Sequence, residues 1–150
     1  MINRIKKVGF LLLSIVLVSF LAGAQTTVSN LIWLSSIDMP VTFGVLVSSL
    51  YHDFILMTLT SAPPPLPPLP VLPVIISIGL VISFGVTWIV LLWIKIKKKY
   101  AYGIAGAVAL AFIFYLMPLV FFGVDMLAGA RTLTGKIILV ICGYLGGHFF

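Results

Sequence analysis

Lys95-Ile96-Lys97-Lys98-Lys99 divides two apolar runs, and the reading of that junction decides the fold. Residues 71–94 and 101–124 are each 24 positions long and carry no charge. A helix needs about 20 such residues to cross a bilayer core, so each run is long enough to span. The chain of 150 residues is 62% hydrophobic and only 8% charged, too little polar surface for a soluble domain. The pattern predicts an all-α fold, a small polytopic transmembrane helical bundle. The two runs, trimmed to about 74–94 and 101–124, form an antiparallel hairpin whose turn carries the lysines. Short basic loops favour the cytoplasm, which places residues 95–100 inside and the surrounding integral membrane protein in the cell membrane.

Outward from that hairpin, residues 132–150 make a further span that runs inward and leaves the C-terminus cytoplasmic. Lys136 lies near its start and can reach an interface. At the other end, Arg4, Lys6 and Lys7 precede the apolar stretch 8–21 and the small residues Ala22-Gly23-Ala24. That is the format of a cleavable secretory signal, with Gln25 as the first mature residue. Residues 8–24 also reach spanning length, so 1–24 is either a signal peptide or a first transmembrane helix. The bundle then has three spans, or four if the leader is retained.

Residues 25–73 are expected outside. Asp38, Pro40, His52 and Asp53 interrupt 31–60, and burying an acidic side chain at a helix centre costs roughly 2.5–3.5 kcal/mol. This segment is read as an interfacial helix, or one dipping inward only where protein covers it. Seven prolines in the eleven positions 63–73 then remove amide donors and hold φ near −65°. A polyproline II rod over 63–70 would cover roughly 22–25 Å and act as a stiff spacer. Pro73 suits the first turn of the next helix.

Small residues recur at four-residue spacing. Gly79, Ser83 and Thr87 share one helix face, Gly103, Ala107 and Ala111 another, and Gly143 and Gly147 form a Gly-x-x-x-Gly pair. Lipid gives helices little hydrophobic drive to associate, so small side chains that let backbones approach mark packing faces. Phe84, Trp88, Phe112, Phe114 and Phe121 are then available for lipid-facing or subunit-facing surfaces. Lys95, Lys97, Lys98 and Lys99 belong in the headgroup layer, where each gains about 1 kcal/mol from anionic lipid.

Chemistry is harder to find. His52 and His148 fall on opposite sides in this topology, and Cys142 is a lone cysteine, so neither a metal site nor a redox pair is expected. No carboxylate dyad, phosphate loop or nucleophile elbow stands out, and the chain reads as a non-enzyme without a cofactor. The leading function is a non-catalytic accessory or scaffold subunit of a larger membrane complex. Its partners would be other membrane subunits, copies of itself, and anionic lipid headgroups. The leader, followed by two hydrophobic helices about a basic turn over 74–124, resembles conjugative pilins in format. That resemblance implies a self-assembling filament or envelope subunit, the one case in which nucleic acid is an expected partner. The third span and the proline-rich outer segment depart from it. A small oligomeric channel or transporter component is the third reading, although no polar stripe marks a pore.

Overall fold

The computed structural model describes residues 2–59, 71–120 and 127–150. Five helices account for most of them: α1 (Ile2–Ser35), α2 (Phe43–Leu59), α3 (Val71–Trp93), α4 (Lys98–Val120) and α5 (Leu133–Phe149), with a single 3-10 turn, Ala128–Ala130, before α5. The all-α bundle is as the sequence predicts. Three helices are apolar and long enough to cross a membrane, over Lys6–Ser35, Leu72–Trp93 and Lys98–Leu116, which gives the chain an integral-membrane location. At 17 residues α5 is shorter.

Paired residues fix the directions. Ser83 against Ala105 and Phe84 against Tyr102 make α3 and α4 antiparallel. Gly106 against Gly143, and Gly103 against Gly147, do the same for α4 and α5. Val18 against Gly146, with Gln25 near Gly129, runs α1 antiparallel to α5. The core forms where these helices converge, around Val18, Ala22, Ile76, Leu80, Phe84, Leu110, Phe114 and Leu139. Phe84 and Phe114, expected on an outer surface, are core residues at 5% and 1% exposure. Phe84 is covered by the rings of Tyr102 and Phe150, which close over it from α4 and the C-terminus. Trp88 and Phe112 do face outward.

The N-terminal helix departs most from expectation in extent. It runs without a break through Ala22-Gly23-Ala24 and ends at Ser35, so residues 31–35 form the end of the same helix. At 1.5 Å per residue its 34 residues extend about 51 Å. It stops in a Schellman motif. Met39 N–H donates to Leu34 C=O (3.3 Å) and Asp38 N–H to Ser35 C=O (3.3 Å). Asp38 takes the left-handed position with φ 60, which aspartate tolerates better than most residues, and Pro40 prevents the helix from resuming.

The turn sends α2 back along α1. Phe54 meets Phe20 edge-on at 5.4 Å between ring centroids, and Thr27 Oγ1 donates to Asp53 Oδ2 at 2.9 Å. The Gly23 carbonyl is a second acceptor within 3.1 Å of the same hydroxyl. Asp53 therefore meets a donor on α1, which lowers the cost of holding a carboxylate beside apolar helices. Thr27→Val keeps the side-chain shape and removes the donor. Hydrogen bonds to charged groups contribute about 1.5–3 kcal/mol, and partial exposure puts the expected loss at the lower end. Limited proteolysis of α2 should accelerate accordingly; an unchanged cleavage rate would show that the bond does not hold α2 down.

Pro73 lies in the first turn of α3, and its carbonyl accepts a bond from Ser77 Oγ at 2.6 Å. The expected polyproline rod over 63–70 lies outside the described residues, as do Phe121 and Asp125. Among the hairpin boundaries, α3 ends at Trp93 and α4 begins at Lys98, so Lys98 and Lys99 are helical and not part of the turn.

Candidate functional site at the basic end of the bundle

The antiparallel packing gathers charge at one end. Arg4, Lys6 and Lys7 open α1, Lys95 and Lys97 lie between α3 and α4, and Lys98 and Lys99 open α4, so seven of the nine basic residues are there. The other two, Arg131 and Lys136, sit at the opposite end, where Lys136 Nζ lies 5.4 Å from the Tyr115 ring centroid. Asp38 and Asp53, the acidic residues described, are also remote from the lysine turn.

Between α1, the end of α3, the start of α4 and the end of α5 is a groove of about 730 Å³. Lys7, Lys98 and Lys99 are its cations, and Phe10, Leu11, Val81 and Trp88 are among its apolar walls. An aromatic cluster closes the floor. Phe84 stacks on Phe150 at 4.7 Å and meets Tyr102 at 5.4 Å, while Tyr102 meets Phe150 at 4.8 Å. His148 lies between Tyr144 (5.7 Å, stacked) and Tyr100 (5.9 Å), with Nδ1 buried and no hydrogen-bond partner. Aromatic contacts of this kind contribute about 0.5–1.5 kcal/mol each and tie three helix ends together.

Sequence reasoning placed Lys98 and Lys99 in the headgroup layer but took Lys7 only for the start of a leader. The fold brings it to the same groove. Lys95 and Lys97 are exposed and do not line it.

The small residues divide among three contacts. On α3, a Cβ at Gly79 would stand 2.8 Å from Ile113 Cδ1, and Ser83 Oγ donates across to Ala105 C=O at 2.6 Å. Thr87 bonds within its own helix, to Ser83 C=O at 2.8 Å. On α4, Gly103 meets the Tyr144 ring, while Ala107 and Ala111 are half-buried. The tightest position there is Gly106, outside the four-residue series. A Cβ on it would strike the Gly143 carbonyl, and one on Gly143 would strike the Gly106 carbonyl. Gly147 likewise abuts the Tyr102 carbonyl, and Gly146 abuts Val18 on α1. Four of the six buried residues of α5 are glycines, so this helix docks through its backbone more than through side chains. The signal for Gly106 was available as an i, i+3, i+7 face with Gly103 and Leu110.

At the far end, Gln25 is buried within α1. Its Nε2 donates to Ser29 Oγ (2.9 Å) and approaches the Gly129 carbonyl (3.5 Å). Thr132 caps α5 by accepting from Gly135 N–H at 3.0 Å. Among the described residues no three His, Cys, Asp or Glu side chains converge as a metal site. Cys142 is buried beside the glycine seam. No protein-family model, curated protein or solved structure matches the chain.

Proposed function

We propose that this chain is a non-catalytic scaffold subunit of a larger integral-membrane assembly, with α1 retained as a span and the basic end in the cytoplasm. The observation that carries the reading is the reciprocal Gly106–Gly143 contact, flanked by Gly147 and Gly146. It commits the most crowded part of the bundle to fixing helix positions. In lipid, association depends on such close packing because burying apolar surface against another helix gains little over burying it in acyl chains.

Two further features support the proposal. The hydrocarbon core is about 30 Å thick, so a straight α1 of about 51 Å exceeds it by about 21 Å. That excess, with the first part of α2 strapped along it, forms a projection on the side opposite the lysines, suited to contact with another subunit. Concentration of seven basic residues at one end agrees with the positive-inside rule. In this topology α1 runs outward, α2 folds back along it from the outer side to the membrane level of Phe20, and α3, α4 and α5 alternate inward, outward and inward.

Gentle extraction from native membranes, followed by mass measurement and identification of co-purifying chains, tests the function. The expected particle exceeds one chain and contains at least one constant partner or further copies. A stable lone protomer that retains the native fold would overturn the scaffold reading. Filaments in the same preparation would favour the pilin-like format instead.

A further inference from the structure

We propose that the groove at the basic end is a discrete site for one anionic phospholipid of the cytoplasmic leaflet. Its phosphate sits against Lys7, Lys98 and Lys99, and one acyl chain lies along the wall made by Phe10, Val81 and Trp88. The inference rests on the membrane orientation given above and adds a ligand to it.

The groove matches both halves of such a molecule. Its mouth has three amines from two helices distant in sequence, and no acidic side chain lines it. A phosphate there meets uncompensated positive charge, reinforced by the N-terminus of α4, which begins at Lys98. Its wall is formed by apolar residues of membrane-level helices, continuous with the exposed faces of Val81 and Trp88. The volume of about 730 Å³ falls within the roughly 300–1,000 Å³ typical of small-molecule sites. Gly85 also lines the groove, and a Cβ built on it meets nothing within 4 Å, so the wall is open at that point. A free phosphate or a nucleic acid would use the amines and leave the apolar wall uncovered. The acyl chain uses both.

Native mass spectrometry of the full chain in detergent, titrated with phosphatidylglycerol or phosphatidylcholine, reads the site directly. Wild type should retain one phosphatidylglycerol in preference to phosphatidylcholine. A charge-assisted contact between an amine and a phosphate contributes at least about tenfold, so the triple variant K7Q/K98Q/K99Q should bind at least about a hundredfold more weakly. K6Q/K95Q/K97Q removes the same charge from the same end without touching the groove and should retain the lipid. Gly85→Phe leaves the charge unchanged, projects a ring into the open wall, and should displace the lipid while the thermal transition stays in place.

Equal loss in the two lysine triples would reduce the effect to diffuse attraction and overturn the proposal. Unchanged binding by Gly85→Phe would remove the acyl chain from the groove. Competition by inorganic phosphate as effective as that by lipid would also refute it. If the first triple does not fold, Gly85→Phe decides alone. The mass of the native complex, followed in the same samples, separates the two proposals: lipid loss with an intact complex concerns the groove, and a lone protomer concerns the scaffold.

Discussion

Gly143→Ala is expected to separate α4 from α5, although it adds a single methyl group. The new Cβ would land on the Gly106 carbonyl, with Leu110 Cγ only 2.9 Å away. A backbone carbonyl held in a helix cannot rotate aside as a side chain can. Overpacking commonly costs 1–3 kcal/mol, and this site should lie at or above about 3 kcal/mol because the nearest obstructing group is the Gly106 backbone. Gly143→Leu should abolish the folded bundle and, on the scaffold proposal, any assembly built on it. Gly103→Ala is the milder comparison, since its Cβ would stand 2.9 Å from the Tyr144 ring edge, which can shift. Gly85→Ala, facing open space, should be neutral or gain up to about 1 kcal/mol from helix propensity. Thermal stability and complex mass across the series check the order 143, 103, 85. A Gly143→Ala protein as stable as wild type would show that α4 and α5 do not meet along this seam.

The second large effect concerns the leader. The mature protein is expected to keep residues 1–24, so that peptides from this stretch are recovered from the purified protein. Val18 and Ala22 are fully buried, and Val18 fills the space opposite Gly146. A chain beginning at Gln25 would lose both and leave the α1 side of α5 without its partner. Such a truncation should fail to accumulate as a folded bundle, an effect far larger than any single substitution proposed for α1. Cysteines placed at Lys7 and Lys98, in a background with Cys142 replaced by serine, should both resist an impermeant thiol reagent added outside sealed cells. Recovery of a mature form starting at Gln25, or labelling of Lys98→Cys from outside, would overturn the retained span and its direction respectively.

The two central runs were readable because length and hydropathy alone decide whether a helix can span, and Pro73 and the lysine turn mark their ends. The extent of α1 was harder to read. Gln25, Thr26, Thr27, Ser29 and Asn30 lower the hydropathy where a signal format already suggests a boundary. Helices tolerate such residues when the hydroxyls turn back to the preceding turn, as Thr26 does to Ala22 C=O (2.9 Å) and Thr27 to Gly23 C=O (3.1 Å). Polarity falls on the sequence, yet the backbone ladder continues. On α4, a single four-residue stripe could not describe a helix with neighbours on two sides. Ala105 and Ala109 serve α3 while Gly103 and Gly106 serve α5, and one spacing rule selects neither face completely. The basic groove was illegible for a different reason: Lys7 and Lys98 are brought to one groove by the packing of α1 against α3 and α5.

That packing has a consequence for synthesis. Neighbouring helices α3, α4 and α5 can pair soon after each emerges, but Gln25 and its acceptor at Gly129 are 104 residues apart. At translation rates of about 5–20 residues per second, α1 waits roughly 5–20 s for the segment that covers its polar face. During that interval Ser14, Ser19 and Gln25, buried in the finished fold, have no completed bundle around them. The newborn chain is therefore most open to a foreign partner, or to degradation, before its last helix has left the ribosome.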